Sequence, residues 1–270
     1  MKIINGTNAG FFANVCDVLR HIYLAEQQDV DCFIQWGKEM HYYDGLYGSN
    51  VWEYYFTQLN EYDDLMALEP VSGYVPIPLQ GAEFRKEFNR LIDEHIHVNP
   101  IVGNVIQNTL TQLPKDYIGV HIRYTDKNRY TQFGEPSSAA PLPLSVYQKY
   151  IDRARTKFGV DSIFLATDDE DVVVNFRKQY GDDLHVLQAP RSTGTLSVHA
   201  DKKDVSGYIK GLSVLCDVMV LANSKFLIRS TSNVGSFAQF LNLNLEHVNV
   251  NEVECGDTRE AEFGLVSTNI

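Results

Sequence analysis

An imidazole, a guanidinium, a hydroxyl, a carboxylate and an ammonium group occur together in residues 121–127, which read His-Ile-Arg-Tyr-Thr-Asp-Lys. They come at the end of a β-favouring run, residues 117–122. An α/β sheet binds its ligands in the crevice beyond the strand ends, so these groups predict a ligand site. The alternative is structural: Arg123 and Asp126 form an ion pair within the loop, and His121 is a satisfied histidine of the core. The residues alone leave both interpretations open.

Two other predicted strands also end in polar residues. The strand at 162–166 is followed by Thr-Asp-Asp-Glu at 167–170, and the strand at 225–228 is followed by Arg-Ser-Thr-Ser-Asn at 229–233. Because the carboxyl ends of parallel strands meet at one edge of a sheet, we expect both groups to converge with residues 123–127. This convergence favours the ligand site over the structural alternative.

Ser230, Thr231, Ser232 and Asn233 directly precede a predicted helix. Their hydroxyls and amides can hold phosphate oxygens, with help from the helix dipole. The same residue types are also the preferred N-caps of helices. A cap does not exclude a ligand, so both interpretations stay open.

Three carboxylates raise further alternatives. Asp168 and Asp169 are adjacent and can hold Mg²⁺ or Mn²⁺, but an Asp at a strand-to-helix junction also caps the helix, and we predict no metal. Asp217 lies inside a strongly apolar predicted helix, residues 207–222. A buried carboxylate is costly without a donor. The N–H groups of a purine would satisfy it, and so would a neighbouring Arg.

Strands and helices alternate along the chain, which indicates βαβ units and a parallel sheet. Between Asn60 and Pro78 the sequence gives only a poor signal for secondary structure. Pro100 begins a helix and Pro114 ends it, which favours a domain boundary at that point. We therefore predict an N-terminal α/β domain over 1–114, a second α/β domain over 115–250 and a C-terminal tail over 251–270.

The chain of 270 residues has a formal net charge of −12, which argues against a general nucleic-acid binder. At the amino terminus, polar residues follow too early for the apolar region of a signal peptide. No apolar run reaches the roughly 18 residues that span a bilayer. The four cysteines form no C-x-x-C pattern. These features predict a cytoplasmic protein with reduced thiols, for which peripheral association with a membrane remains open.

Residues 121–127 resemble the core motif of the α1,6-fucosyltransferases, which comprise the core-fucose enzymes and the nodulation enzymes, and more loosely that of the protein O-fucosyltransferases. Three further segments are similar in the same order: 164–169, 211–217 and 226–234. The resemblance is good from about residue 115 to residue 241 and weaker before that.

The resemblance implies a GT-B-like α/β fold, in which two Rossmann-like domains face each other across a cleft. It also implies an inverting glycosyltransferase that needs no metal or cofactor. Such an enzyme transfers L-fucose from GDP-fucose to a glycan acceptor, for example a precursor of a surface polysaccharide. The second domain would bind the nucleotide sugar and the first would face the acceptor.

Residue roles also follow from the resemblance. Arg123 would hold the β-phosphate and stabilise the leaving diphosphate. His121 and Asp217 would bind the guanine, with Val214 packed against it. The remaining donor-side residues would be Asp168, Ser230, Thr231, Ser232 and Asn233, and the acceptor side would include Asn8, Gly10, Phe11 and Phe12.

The sequence departs from the family at two positions. Tyr124 stands where the core-fucose enzymes have a second Arg, and Thr131 stands where they have a Glu. Glu135 and Asp126 are therefore the candidate bases, with Lys127 as a further catalytic candidate. The departures leave two alternatives open: a transferase for another GDP-linked deoxyhexose or a heptose, and a sugar-nucleotide or glycan binding protein without turnover.

Overall fold

The computed structural model describes residues 2–61, 69–124, 140–192 and 205–270. The strands are β1 (Lys2–Asn5), β2 (Cys32–Gln35), β3 (Glu69–Ser72), β4 (Ile118–Ile122), β5 (Ile163–Thr167), β6 (Leu184–His185), β7 (Phe226–Arg229) and β8 (His247–Asn249). The helices are α1 (Phe11–Glu26), α2 (Gly81–His95), α3 (Pro100–Thr111), α4 (Leu144–Phe158), α5 (Glu170–Tyr180), α6 (Gly207–Ala222), α7 (Asn233–Leu241) and α8 (Val250–Cys255). Within these ranges, no helix is both long enough and apolar enough to cross a bilayer.

The larger sheet has five parallel strands in the order β6-β5-β4-β7-β8. Its central strand, β4, is buried along its whole length, as expected for Ile-Gly-Val-His-Ile covered by helices on both faces. The chain runs outward from β4 to β6 and then returns to β7 on the other side of β4. The strand order therefore reverses between β4 and β7, and a doubly wound sheet places its ligand crevice at such a point.

The smaller sheet has three parallel strands in the order β2-β1-β3. Its central strand, β1, leads through residues 6–10 into α1, a helix of 16 residues. Here too the strand order reverses beside the central strand. The loop after β1 therefore lies at the corresponding place in the first half of the chain.

Helices α6 and α7 pack against the first half of the chain as well as against the larger sheet. The Phe12 and Phe237 rings lie 4.5 Å apart between centroids and belong to one continuous core. Arg85 on α2 donates to the carbonyl oxygens of Gln239 (3.1 Å) and Asn242 (3.0 Å) at the end of α7. These contacts fix α7 relative to the N-terminal residues.

The C-terminal residues, predicted as a tail, contain α8 and a 3-10 turn at Ala261–Phe263. They return to the first half of the chain, where Glu262 forms an ion pair of 3.0 Å with Arg20 of α1. The Phe263 ring packs against Phe84 and Phe240. The predicted limits of the two domains are not tested by these contacts and stay a prediction.

Most elements lie where the sequence predicts them, and α6 has the predicted bounds of 207–222. In the stretch 60–78, where the sequence gives only a poor signal, β3 occupies Glu69–Ser72. That strand reads Glu-Pro-Val-Ser and lies at a sheet edge, where Pro is tolerated but gives no strand signal. The short aromatic segment at Val51–Tyr54 is a 3-10 turn.

The first turn of α6 lies directly on the backbone of the first half of the chain. A Cβ added at Gly207 would lie 2.5 Å from the carbonyl carbon of Tyr42 and 2.6 Å from the carbonyl oxygen of Tyr43. We expect Gly207→Ala to lower the free energy of unfolding by about 1–3 kcal/mol, as overpacking does. Urea denaturation measures it.

Gly103 in α3 is the matched control, because an added Cβ there meets nothing within 4 Å. Gly103→Ala should raise the free energy of unfolding by about 0.5–1 kcal/mol through helix propensity. If both substitutions stabilise the protein, the close contact of α6 with Tyr42 is contradicted.

Candidate functional site

A cleft opens at the carboxyl ends of β4 and β5 and extends to the amino terminus of α1. It consists of two adjoining cavities that share Tyr42, Arg123, Val214 and Val234. We call its two ends the α6 end and the α1 end. The α6 end is also lined by His121, Thr167, Asp168, Ala189, Pro190, Lys210, Ser213 and Asp217. The α1 end is also lined by Gly10, Phe11, Phe12, Ala13, Ser232 and Asn233.

Arg123 lies between the two ends of the cleft and is held at its backbone and at its side chain. Its amide donates to the hydroxyl of Ser230 (2.9 Å), and its Nη1 lies 2.9 Å from Oδ2 of Asp168. The amide of Tyr124 donates to the other carboxylate oxygen of Asp168 (2.9 Å). The Arg123 side chain is 20% exposed and the Asp168 side chain 9%. Asp168 therefore orients the guanidinium while part of it faces the cleft.

The loop after β7 divides into residues that shape it and residues that face the cleft. The Thr231 hydroxyl hydrogen-bonds Asn249, and both Ser230 and Thr231 are buried. Neither is among the lining residues. Ser232 and Asn233 do line the α1 end, and the Ser232 hydroxyl caps α7 by accepting from the amide of Val234 (3.4 Å). The predicted cap is confirmed.

Glu260 braces the same loop from the C-terminal segment. Its Oε1 accepts from the amide of Ser232 (3.0 Å) and the hydroxyl of Ser236 (2.7 Å), and its Oε2 pairs with Nη1 of Arg229 (2.5 Å). Arg229 is fully buried. Sequence reasoning missed Glu260 because it lies 31 residues from Arg229 along the chain. The available signal was Arg229 itself, since an arginine in a buried strand needs a carboxylate.

One face of α6 lines the cleft with Lys210, Ser213, Val214 and Asp217, which follow the i, i+3, i+4, i+7 spacing of a helix face. Oδ1 of Asp217 is buried and has no hydrogen-bond partner among the described residues. Burial raises the pKa of Asp217 to about 7, and the charge of Arg191 opposes this shift. A ligand that offers N–H groups at this place would satisfy the carboxylate.

Arg191, the arginine near Asp217, interacts with residues other than Asp217. Its Nη2 donates to the carbonyl oxygen of Leu187 (2.6 Å), and its Nη1 lies 3.7 Å from Oε2 of Glu170. It therefore influences Asp217 through its charge, and the described contacts contain no hydrogen bond between the two side chains. This leaves the ligand interpretation of Asp217 in place.

Of the residues predicted on the acceptor side, Gly10, Phe11 and Phe12 line the cleft, whereas Asn8 does not. Phe11 and Phe12 are each only 2% exposed and belong to the core, and together with Gly10 they line the α1 end of the cleft. The Phe11 amide donates to the hydroxyl of Tyr42 (2.9 Å). Asn8 is exposed and is not among the lining residues.

Of the other predicted residues, Asp169 caps α5 by accepting from the amide of Val172 (3.1 Å). Asp126, Lys127 and Glu135 lie outside the described residues, so the candidate bases remain predictions. Several lining residues were not predicted: Tyr42, Ala189, Pro190, Lys210 and Ser213. Thr167 belongs to the polar group that the sequence predicts at this sheet edge, and it lines the cleft as expected. Lys210 and Ser213 were available from the sequence, because they share a helix face with Asp217.

Comparison with solved structures identifies proteins of the same fold. The fucosyltransferase NodZ from Bradyrhizobium is 16% identical, with a TM-score of 0.54 over 89% of this chain and 93% of that one. POFUT1 in complex with GDP is 10% identical, with a TM-score of 0.57 over 92% and 97%. A variant of Arabidopsis thaliana FUT1 in complex with GDP is 10% identical, with a TM-score of 0.53 over 91% and 69%.

These identities are low, so the likeness concerns the fold. The resemblance in fold that the motifs predict is confirmed, whereas the arrangement of two domains facing across a cleft stays a prediction. No family model and no curated protein matches the sequence.

Proposed function

We propose that the protein is an inverting, metal-independent glycosyltransferase that transfers L-fucose from GDP-fucose to a glycan acceptor. The observation that carries this proposal is the placement of Arg123 and the unsatisfied Asp217 in one cavity beside the β4–β7 reversal. The same cavity thereby contains a cation for the diphosphate, Arg123, and a hydrogen-bond acceptor for the guanine, Asp217. Further support comes from the fold, since NodZ α1,6-fucosyltransferase has been crystallised with GDP and soaked with GDP-fucose.

The guanine would bind at the α6 end of the cleft. A guanine ring presents N1–H and an exocyclic amino group on one edge, and a carboxylate accepts from both. Asp217 has a buried oxygen in need of such donors. Val214 lines the cavity one turn before it and offers an apolar contact for the ring. His121 would complete the base site from β4.

The diphosphate would bind at Arg123. When the bond between the sugar carbon and the phosphate oxygen breaks, its electrons remain on the diphosphate, which gains negative charge. A guanidinium held by Asp168 meets that charge with fixed N–H donors and without reorganisation. The amino terminus of α1, which has no acidic residue in its first turn, adds favourable potential at the neighbouring end of the cleft.

The acceptor would approach from the α1 end, along Gly10, Phe11 and Phe12 and past Asn8. Its hydroxyl oxygen attacks the sugar carbon from the face opposite to the departing diphosphate, which inverts the configuration. The hydroxyl proton passes to a carboxylate, for which Asp126 and Glu135 are the candidates, with Lys127 nearby in sequence.

A binding panel tests the donor assignment. We expect GDP to bind more tightly than UDP, CDP or ADP. Inosine diphosphate should bind at least about ten-fold more weakly than GDP, because it lacks the amino group from which Asp217 would accept a hydrogen bond. Isothermal titration calorimetry measures these affinities. Preferred binding of UDP would contradict the assignment.

The pH dependence of guanosine binding tests the role of Asp217 itself. Guanosine has no phosphate whose ionisation would interfere. Since the pKa of Asp217 is raised to about 7 and the complex needs the carboxylate, binding below pH 7 must release a proton, so affinity should fall as the pH is lowered from 8 to 6. Asp217→Asn should bind guanosine weakly at every pH. An affinity of the wild type that does not change with pH would contradict this role.

A further inference from the structure

We propose that Lys210 is the second cation of the donor site and binds the diphosphate together with Arg123. This inference rests on the proposed function, because it assigns a residue to the same cleft. It starts from the charge of the cleft, then uses the direction of α6 and the way in which its first turn is held.

Besides His121, the described lining of the cleft includes two basic side chains, Arg123 and Lys210, and two acidic ones, Asp168 and Asp217. Arg123 and Asp168 form an ion pair of 2.9 Å, so together they add little net charge. Each phosphate of a sugar nucleotide is negative, and the whole chain has a net charge of −12. Lys210 is the second basic side chain of this lining, and its positive charge favours the binding of a diphosphate.

The direction of α6 places Lys210 toward the same sheet edge as Arg123. Ser224, just beyond the end of α6, lies at the start of β4, where its hydroxyl is 2.6 Å from the position of a Cβ on Gly119. Arg123 follows the opposite end of β4. The helix thus runs antiparallel to β4, and its first turn, which contains Lys210, points to the edge where the strand releases Arg123.

The spacing along α6 separates base recognition from phosphate binding. Lys210 and Asp217 are seven residues apart on one helix face, which corresponds to about 10 Å along the axis. Val214 lies between them and lines both cavities. A nucleotide whose base reaches Asp217 therefore extends its ribose and phosphates past Val214 toward Lys210 and Arg123.

The first turn of α6 is fixed before any ligand binds. The Ser206 hydroxyl donates to the carboxylate of Asp44, and the Tyr55 hydroxyl donates to the carbonyl oxygen of Tyr208 (3.0 Å). Gly207 rests on the Tyr42 backbone. The position from which Lys210 reaches into the cleft is therefore set by the first half of the chain, which limits the entropy that binding must remove.

Calorimetric titration of GDP and guanosine into wild type, Lys210→Met and Lys210→Arg tests the inference. Lys225→Met is the matched control, because Lys225 is exposed and precedes β7 at the opposite sheet edge. We expect Lys210→Met to weaken GDP binding by about ten-fold or more and to leave guanosine binding unchanged. Lys210→Arg should retain most of the GDP affinity, and added salt should weaken GDP binding less in Lys210→Met than in the wild type.

Two results would overturn the inference. In the first, Lys210→Met binds GDP as tightly as Lys225→Met. In the second, Lys210→Met loses affinity for guanosine and for GDP by the same factor, which would place Lys210 beside the guanine instead of the diphosphate. A wild type that binds neither GDP nor guanosine would instead contradict the proposed function, so the two failures are distinguishable.

Discussion

Arg123→Ala is expected to lower the rate of fucose transfer by a factor of about 10²–10³, the usual cost of removing a preorganised donor from a developing negative charge. The guanidinium is only one-fifth exposed and is oriented by Asp168, so water cannot fully replace it. Arg123→Lys should also lose most of the activity, because an ammonium group lacks the planar pair of donors that a phosphate accepts. The folded structure should tolerate both changes.

Steady-state kinetics with GDP-fucose, together with circular dichroism and GDP titration, measure this effect. Arg153→Ala is the control, since Arg153 lies on α4 and donates to the carbonyl oxygen of Ile270 (3.2 Å), outside the cleft. We expect it to behave like the wild type. Turnover of Arg123→Ala within about three-fold of the Arg153→Ala value would exclude the clamp role, because such a ratio is less than 1 kcal/mol.

Glu260→Ala is expected to lower the free energy of unfolding by about 3–5 kcal/mol, because it leaves a buried cation without its partner. Arg229 is fully buried, and its Nη1 bonds Glu260, whereas its Nε and Nη2 have no hydrogen-bond partner among the described residues. His247 has no negative charge with which to replace the carboxylate, because burial and the charges of Arg229 and Arg85 lower its pKa to about 2 and keep the imidazole neutral. The Ser232 amide and the Ser236 hydroxyl would lose their acceptor as well.

Urea denaturation of Glu260→Ala against Glu254→Ala isolates the effect of burial. Glu254 lies in the same C-terminal segment and pairs with Lys149 at 2.8 Å, but the Lys149 side chain is 44% exposed. An exposed pair of this kind contributes about 0–1 kcal/mol. Equal losses for the two variants would show that Glu260 does not stabilise Arg229 as the contacts indicate.

Local patterns predict the parts of this structure that depend on neighbouring residues. The carboxyl end of β4 and the face of α6 that carries Val214 and Asp217 follow from periodicity and from strand-end polarity. The cap at Ser232 follows from its residue type. Each of these features requires only the few residues around it, which is the range over which side-chain patterns specify structure.

The remaining features depend on contacts between distant segments. Tyr42 reaches the cleft because Gly207 lets α6 approach its backbone, and no pattern near Tyr42 indicates this. The partner of Arg123 is Asp168 in the described structure, a residue from the next strand. Glu260 reaches Arg229 only after the chain has turned back from α8. Such pairs are set by the topology and cannot be read from one stretch of sequence.

The most direct test of the proposed function is the release of GDP from GDP-fucose by the wild-type protein, measured with and without a panel of glycan acceptors. We expect release that saturates with GDP-fucose, increases with a suitable glycan and is accompanied by a fucosylated product detectable by mass spectrometry. Saturable binding of GDP with no release from GDP-fucose or any other GDP-linked sugar would contradict an enzymatic role. Such a result would identify the protein as a sugar-nucleotide binding protein instead.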